Sequence, residues 1–520
     1  ESLARGYSRS LAWALRRRGT VLLGALGTIM LAVLLFRSLK REFIPADDQG
    51  WFLTFVVAPE GSSLAYTDGY QRQAEAILAK TPEVESYFSV VNFGTGPNSG
   101  ILFTKLKDYK DRKRNVDQIL GSVQPQFFGI PGIFAFASNP PAIGGFGKPV
   151  QFVVQNPDFG LLASAMDTFV NRARQIHGLQ NVDTDLRVNR PQLTVRFDRD
   201  RAEDLGVPVG DIAATLQTML GGRKVSTYTR DNKLYNVMVQ LDPRERATPS
   251  DVAGLYVRGR EGQLVQLAAV TRVDEGVGPR QLNHYNRIAA FTMDGTLAPG
   301  FTLGEALDSL NALAREVLPK GSTTALAGES RELEESGGSL YFAFGLALVV
   351  VFMVLASQFE SMIHPFTVLL AVPLAVTGAL AVLWVAGSTV NLYSQIGMIL
   401  LIGLVTKNSI LLVEYANQLR EAGRSAVEAM LEAGRIRLRP ILMTSVATIT
   451  SAVPVALGLG AGSISRRPLG YAIVGGVFVS TILTLYLVPV VYTLFDRLVA
   501  REHRDVTLTA PSPVPAEEAR

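Results

Sequence analysis

Apolar residues concentrate in two parts of the chain, on either side of a long and mostly polar stretch. The first part is the single run Val21–Phe36. The second divides at polar interruptions into five runs: Tyr341–Ala356, Pro365–Ala386, Leu392–Tyr415, Pro440–Leu459 and Leu469–Phe495. A helix needs roughly 20 apolar residues to cross the hydrocarbon core of a bilayer. The pattern therefore predicts six transmembrane helices, one plus five, with an amphipathic surface helix near 417–436.

Arginines near the ends of these runs predict their orientation, because basic residues favour the cytoplasmic side. They form three groups: Arg5, Arg9, Arg16, Arg17 and Arg18; Arg420, Arg424, Arg435, Arg437 and Arg439; and Arg497, Arg501 and Arg504. With six spans, all three groups share one side. We therefore expect a cytoplasmic amphipathic segment at 1–18, a first span at 19–38, five spans within 336–498, and a disordered cytoplasmic tail at 499–520.

The polar stretch reads as strands that alternate with amphipathic helices. Its first part, 39–145, gives the order βαββαβ in these segments: Trp51–Val57, Leu64–Lys80, Val84–Val91, Ile101–Lys107, Val116–Gln124 and Ile133–Ala137. A second unit of the same order is predicted within 146–198 and 278–335: Val150–Val154, Leu161–His177, Gln192–Phe197, Arg287–Met293, Leu303–Val317 and Thr323–Ala327. An α+β insertion, 199–277, divides it. The predicted fold class is a membrane α-helical domain plus two ferredoxin-like subdomains with this inserted domain.

One cation, Lys407, lies inside the apolar run Leu392–Tyr415. A charge at the centre of a membrane helix costs about 2.5–3.5 kcal/mol on insertion scales, so such residues usually have a partner and a function. Two interpretations remain open from the residue alone. Lys407 is either part of a proton or ion relay or a structural charge that holds helices together.

Composition excludes several other functions. The chain has no cysteine, so disulfides and thiolate metal sites are absent, and its four histidines are scattered without ligand spacing. No nucleophile–base pair or phosphate-binding loop is evident, so we expect neither an enzyme nor a cofactor. The net charge is only +4 and the arginines lie beside apolar runs, which argues against nucleic-acid binding. The chain begins at Glu1 with a basic amphipathic stretch, and we expect it to be the C-terminal part of a longer polypeptide.

Several local motifs resemble one family of membrane proteins. They are FIPADDQGWF (43–52), LASQFES (355–361), VPLAVTGALAVL (372–383), IGLVTKNSILLVEYA (402–416), RLRPILMTS (437–445) and LGYAIVGGVFVSTILTLYLVPVVY (469–492). In this order they resemble the C-terminal half of the resistance–nodulation–division (RND) efflux pumps, specifically the AcrB-like drug exporters of Gram-negative inner membranes. Both βαββαβ units would then be porter subdomains in the periplasm, and the insertion would be a docking domain.

This resemblance implies a proton antiporter for hydrophobic and amphiphilic compounds. It implies a homotrimer that works with a periplasmic adaptor and an outer-membrane channel. It also implies a missing N-terminal half whose adjacent aspartates pair with Lys407, and it places Thr444 and Arg437 on the proton path. No such aspartate pair occurs within a span here, because Asp47 and Asp48 lie outside the bilayer. The alternatives are an RND transporter of lipids or metal ions, and a half-length subunit that does not pump.

Apolar side chains alternate along the strands of the first predicted subdomain, and Trp51, Leu53 and Phe55 share one strand face. Phe88 and Val90 share a face of another strand, as do Phe134 and Phe136, and Phe93 and Phe103 flank the loop 92–100. Period-two alternation indicates a sheet face, which by itself is typical of the subdomain core. The resemblance implies instead that these nine residues line the substrate pocket.

Overall fold

The computed structural model describes residues 2–45, 47–94, 96–140, 147–279, 281–460 and 462–509. The N-terminal part is helical: α1 spans Ser2–Arg16 and α2 spans Arg18–Ser38. In α1 the side chain of Leu11 is fully buried, and the Tyr7 hydroxyl donates a hydrogen bond to the carbonyl oxygen of Leu485 over 2.7 Å. The amphipathic N-terminal segment therefore packs on the membrane helices of its own chain.

The first α/β subdomain follows α2. Its elements are β1 (Trp51–Val57), α3 (Leu64–Ala79), β2 (Val84–Val91), β3 (Ser99–Leu106), α4 (Val116–Phe128) and β4 (Phe134–Ser138). The strands form an antiparallel sheet in the order β2-β3-β1-β4. Ser63 and Asn115 cap the two helices by accepting backbone hydrogen bonds, which is why the helices begin where they do.

One face of this sheet packs on α3 and α4 and forms a closed core. Phe52 and Val56 of β1, Leu102 of β3, and Ile119 and Phe127 of α4 are fully buried in it. Side chains of a strand point alternately to its two faces. The intervening residues of β1, Trp51, Leu53 and Phe55, therefore face away from both helices.

The second subdomain begins with β5 (Val150–Gln155), α5 (Phe159–Ala173) and β6 (Leu179–Thr184). The chain then forms a separate compact unit, residues 59–62 and 185–283. Its elements are β7 (Arg190–Phe197), α6 (Arg199–Asp204), α7 (Val209–Leu216), β8 (Arg223–Arg230), β9 (Lys233–Val239), α8 (Pro249–Ala253), β10 (Tyr256–Arg258), β11 (Leu264–Gln266) and β12 (Thr271–Gly278). A small core that includes Val207, Ile212 and Leu267 holds this unit together.

The second subdomain resumes after this unit with β13 (Asn283–Tyr285), β14 (Ile288–Leu297), α9 (Leu303–Val317) and β15 (Thr323–Leu326). Its sheet has five strands, in the order β13-β14-β5-β15, with β6 also paired to β14. Apart from the short strand β13, the order β6-β14-β5-β15 repeats the order β2-β3-β1-β4 of the first subdomain. Both subdomains are therefore built as βαββαβ, and the insertion interrupts the second between its second and third strands.

The second strand of the second subdomain differs from the sequence-based prediction. The sequence predicts Gln192–Phe197 at this position, but that segment lies in β7 and pairs with β12 in the inserted unit. Leu179–Thr184 occupies the position instead and pairs with β14. The β6 sequence LQNVDT is short and polar, Asn181 has a positive φ of 50°, and the pairing contains a register shift. Such a strand lacks the alternation by which a sequence reveals it.

The C-terminal part is helical: α10 (Gly328–Phe359), α11 (His364–Leu369), α12 (Ala371–Val385), α13 (Leu392–Glu421), α14 (Ala426–Leu457) and α15 (Arg467–Thr509). Counting α11 and α12 as one, the described residues contain six helices long and apolar enough to cross a membrane, α2 and five in this part. The predicted arrangement of one plus five is confirmed.

The expected surface helix near 417–436 is not a separate element. Its first residues end α13, and the rest form the first turns of α14. A capping box between Ser425 and Glu428 starts α14, and the helix continues past Pro440. Proline is tolerated in membrane helices because neighbouring groups satisfy the freed backbone atoms.

The helices α12, α13 and α15 form the centre of the membrane part. More than half of the apolar stretch of each is buried (56%, 56% and 61%), against 6% for both α2 and α10. A Cβ atom on Gly378 of α12 would lie 2.4 Å from the carbonyl oxygen of Gly475 in α15. Only glycine permits this approach, which brings the two backbones together beside α13.

Candidate functional site

Lys407 lies midway along α13 and is half-buried. Among the described residues, its ammonium makes no hydrogen bond and no ion pair. On the same side of α13, Leu400 is 48% exposed, and Gly403 and Glu414 are exposed too. Residues at these spacings follow one helix face. Lys407 therefore belongs to a face of α13 that the other described helices leave uncovered.

A buried polar link joins three helices next to Lys407. The Asn408 side-chain amide of α13 donates a hydrogen bond to the Ser445 hydroxyl of α14 over 3.2 Å, and the Thr481 hydroxyl of α15 donates to Ser445 over 2.9 Å. All three side chains are buried. The Asn408 amide oxygen and the Ser409 hydroxyl have no hydrogen-bond partner among the described residues. The link fixes the depth at which α14 and α15 meet the lysine helix.

Thr444 lies beside this link, and Arg437 lies about two turns away. Lys407 and Thr444 are the chain neighbours of Asn408 and Ser445, so each lies one residue from the link. The Thr444 hydroxyl donates a hydrogen bond to the Ile441 carbonyl over 3.1 Å. The Arg437 guanidinium stacks on the Tyr415 ring of α13 at 4.7 Å, and its buried Nε has no hydrogen-bond partner in the described part of the chain. The structure thus places Lys407 and Thr444 each next to a residue of the link, and it places Arg437 toward the C-terminal end of α13.

Eight of the nine predicted substrate residues lie on the sheet face of the first subdomain that is turned away from α3 and α4. The strand register sets Phe88 opposite Phe103 and Phe103 opposite Leu53. It also sets Phe55 opposite Phe136. Phe93 is in the connection after β2, where its ring contacts that of Phe103 at 6.3 Å. These residues are thus not part of the helix-packed core.

The aromatic rings form two groups on this face. Phe88 and Phe103 lie 6.2 Å apart at the β2 edge, with Phe93 beside them. Toward the β4 edge, Phe136 stacks on Phe55 at 5.1 Å and contacts Phe134 at 5.7 Å. Among the remaining predicted residues, Trp51 and Val90 are half-buried, and Leu53 is buried.

The centre of the face is covered, and its edges are open. The Lys148 ammonium lies 4.9 Å over the Phe136 ring. It donates a hydrogen bond to the Asn181 carbonyl of β6 and pairs with Asp294 of β14, so residues of the second sheet hold it over the ring. Phe136 is accordingly only 5% exposed, whereas Phe88 is 66% exposed and Phe134 is 44% exposed.

One aromatic residue was not predicted from the sequence. Phe128 is 53% exposed at the end of α4, and its ring stacks on Phe134 at 5.8 Å. Phe128 lies at the end of a helix, so it is not part of the alternation of apolar residues that marks the strand faces. Exposure of a large aromatic side chain beside three others extends the β4 group.

Asp47 and Asp48 have partners outside the membrane helices, as their sequence position suggests. The Ser465 hydroxyl donates to Asp47 over 3.0 Å. Asp48 receives Arg112 Nη1 at 2.7 Å and the Val116 backbone N–H at 2.9 Å. Burial opposes ionisation of Asp48, but these hydrogen bonds outweigh it and hold its pKa below the usual value. This carboxylate therefore ties β1 to the start of α4.

The sequence was compared with known proteins. It is 33% identical over 520 residues to the toluene efflux pump membrane transporter TtgB of Pseudomonas putida, covering 98% of this chain and 49% of that protein. The same identity and coverage hold for the antibiotic efflux pump membrane transporter ArpB of Pseudomonas putida. An uncharacterized transporter of Haemophilus influenzae is 32% identical over 510 residues, 96% of this chain and 49% of its own length.

The chain thus spans about half the length of the curated relatives it matches. A family model described as the AcrB/AcrD/AcrF family matches residues 1–496. The match includes α2, both α/β subdomains and the lysine helix. The chain belongs to the AcrB/AcrD/AcrF family of RND transporters.

Proposed function

We propose that this chain is the C-terminal half of a proton-driven transporter that exports hydrophobic and amphiphilic compounds. The observation that carries the proposal is Lys407, a membrane cation on an uncovered face of α13 beside the Asn408–Ser445–Thr481 link. Relatives named as toluene and antibiotic efflux pump transporters support the substrate class.

In this mechanism Lys407 responds to carboxylates on helices outside this chain. While those carboxylates are ionised, the ammonium pairs with them across the uncovered face of α13. When they take up protons the pairing weakens, and α13 can shift against its neighbours. Thr444, next to the link, and Arg437, toward the cytoplasmic end, would line the proton path.

The exposed aromatic rings of the first subdomain form the substrate surface. Phe88, Phe93 and Phe134 present large, exposed rings. Such rings suit the binding of apolar compounds through buried contact area and ring contacts. Phe55, Phe103, Phe136, Leu53, Trp51 and Val90 continue this surface toward its centre. Such a surface accepts varied amphiphiles rather than one compound.

The proposal includes the assembly and location of the family's exporters. The complete protein would form a homotrimer in the inner membrane of a Gram-negative bacterium, with both α/β subdomains in the periplasm. A periplasmic adaptor and an outer-membrane channel would complete the export path. The arginine groups before α2, at the junction of α13 and α14 and in α15 support this orientation.

The proposed function is tested with the complete gene in a host whose own drug pumps are deleted. We expect the host to tolerate higher concentrations of hydrophobic dyes and detergents, and to lose this tolerance when a protonophore collapses the proton gradient. Unchanged susceptibility with confirmed membrane expression would contradict the proposal. Protection against metal salts alone would favour the metal-ion alternative.

The substrate surface is tested by Phe88→Ala. Phe88 lies on the open face, so its removal deletes ring contact area, and we expect the tolerated dye concentration to fall severalfold. Tyr87→Ala is the matched control, because Tyr87 is its neighbour on β2, points to the other face and is 38% exposed. Equal losses in the two variants would show that stability, not substrate contact, is measured.

A further inference from the structure

One side of α1 carries a stripe of arginine residues. Arg5, Arg9 and Arg16 are separated by four and seven residues, so they lie on the same face of the helix, and all three are exposed. Tyr7 and Leu11 lie on the opposite face and are buried. The sequence of α1 contains no acidic residue. The outward face of this helix therefore carries positive charge alone.

The buried face of α1 is already occupied by helices of the same chain. The Tyr7 hydroxyl donates its hydrogen bond to the Leu485 carbonyl of α15, and the Tyr7 ring contacts the Tyr486 ring at 5.8 Å. A Cβ atom on Gly434 of α14 would lie 2.9 Å from the Leu11 side chain. These contacts fix α1 against α14 and α15. They leave the arginine stripe as the face of α1 that is free to bind another molecule.

The arginines of the stripe have no ionic partner in the described part of the chain. Arg5 and Arg9 are four residues apart, where two like charges repel and weaken a helix. Arg5 also lies in the first turn, where the helix dipole favours an anion over a cation. The stripe therefore opposes the electrostatics of its own helix. Negative charge brought by another molecule would offset both conflicts.

The stripe lies where a membrane-spanning helix begins. Only Arg17 separates α1 from α2, the first of the helices that are apolar enough to cross a membrane. Trp13 follows Arg9 by about one turn and is 59% exposed beside the stripe. Tryptophan is enriched at the interface between membrane and water, where its ring lies at the level of the headgroups. An exposed tryptophan beside arginines in this position favours a lipid headgroup over an acidic protein segment as the bound partner.

We propose that Arg5, Arg9 and Arg16, with Trp13 at their border, bind the headgroups of anionic phospholipids in the cytoplasmic leaflet. Each guanidinium can donate paired hydrogen bonds to phosphate oxygens, and each positive charge is attracted by the negative surface potential of that leaflet. Bound lipid thereby holds α1, and the parts of α14 and α15 that contact it, at the membrane surface. The inference rests on the membrane orientation proposed above and not on export or its substrates.

The lipid site is tested on the complete protein in nanodiscs that contain phosphatidylglycerol and phosphatidylcholine with the same acyl chains. A photoreactive benzoylphenylalanine replaces Trp13, and mass spectrometry counts the cross-linked lipids of each kind after irradiation. We expect the ratio of phosphatidylglycerol to phosphatidylcholine adducts to exceed the bulk ratio severalfold. In the double variant Arg9→Gln/Arg16→Gln this enrichment should fall roughly fivefold for each arginine removed, as far as the bulk ratio.

Two further variants separate the loss of the stripe from other effects. Arg223→Gln/Arg258→Gln removes two exposed arginines of the inserted unit, and thus the same net charge, so its enrichment should equal that of the protein with the probe alone. Arg9→Lys/Arg16→Lys keeps the charge of the stripe and should keep most of the enrichment. A loss in the glutamine variant but not in the lysine variant therefore reports charge rather than misfolding.

Three results would overturn the lipid site. They are adducts in the bulk lipid ratio in the protein with the probe alone, cross-links from position 13 to protein instead of lipid, and undiminished enrichment in Arg9→Gln/Arg16→Gln. The second result would show that another polypeptide segment covers the stripe. None of these measurements uses export, so the lipid site and the proposed function can fail independently.

Discussion

Lys407→Ala is expected to reduce dye efflux by the complete transporter to the level of cells without it. The substitution removes the only lysine within the apolar stretch of α13, and thereby the charge that answers protonation of the partner carboxylates. Alanine is a good helix former, so α13 itself should persist. The measurement is efflux of a preloaded fluorescent dye after re-energising the cells, with expression and oligomer size checked for each variant.

The control for this substitution is Lys110→Ala, which removes an exposed lysine of the first subdomain. Its efflux should equal that of the wild type, since exposed charges contribute little to stability. Thr444→Ala should retain partial activity, because the Asn408–Ser445–Thr481 link that sets the helix level stays intact. Efflux at the wild-type level in Lys407→Ala would refute the relay role.

Asp48→Asn is expected to lower the free energy of unfolding of the first α/β subdomain by roughly 3–5 kcal/mol, the usual cost of removing one partner from a buried ion pair. The side chains of Arg112 and Asp48 are 2% and 5% exposed. Asparagine keeps only one acceptor oxygen and no charge. Its NH2 group therefore faces either the Arg112 Nη2 and Gly50 N–H donors or the Arg112 Nη1 and Val116 N–H donors, which lose their acceptor. Urea unfolding of the purified protein, followed by tryptophan fluorescence, measures the change; Trp51 lies on β1, close in sequence to Asp48.

The matched control is Asp68→Asn in the same subdomain. Asp68 pairs with Arg72 on the surface of α3, with side chains 42% and 71% exposed, so its loss should cost less than about 1 kcal/mol. The lowered pKa of Asp48 also predicts a pH dependence. Its stabilisation is complete above the ordinary carboxyl range and is lost as pH falls through the lowered pKa of the folded protein. If the two substitutions lowered the free energy of unfolding equally, the buried Asp48–Arg112 pair would contribute no more to stability than a surface pair.

The sequence predicts the membrane part well because long apolar runs leave few alternatives to a spanning helix. It predicts the first subdomain because β1 and β3 are short apolar runs rich in aromatic and β-branched residues, and because Ser63 and Asn115 mark helix starts. Period-two spacing shows that Trp51, Leu53 and Phe55 share one face of their strand, but it does not show which face the helices cover. That choice depends on the packing of α3 and α4, and it separates an open aromatic surface from an ordinary core.

Other features depend on contacts between distant parts of the chain. Asn408, Ser445 and Thr481 appear in the sequence as isolated polar residues in three apolar runs, and only the crossing of α13, α14 and α15 joins them. Glu42 likewise reaches Thr389 only because 40–43 pairs with 389–392. The strand β6 was missed because its pairing with β14, and not its own pattern, makes it a strand.

The central claim is that proton movement through the Lys407 site drives export. The most direct measurement reconstitutes the complete transporter in vesicles and follows dye movement after a pH gradient is imposed. We predict that dye moves in the wild type only while the gradient lasts, and that Lys407→Ala moves none although it binds dye as the wild type does. Gradient-driven movement at the wild-type rate in Lys407→Ala would contradict the account.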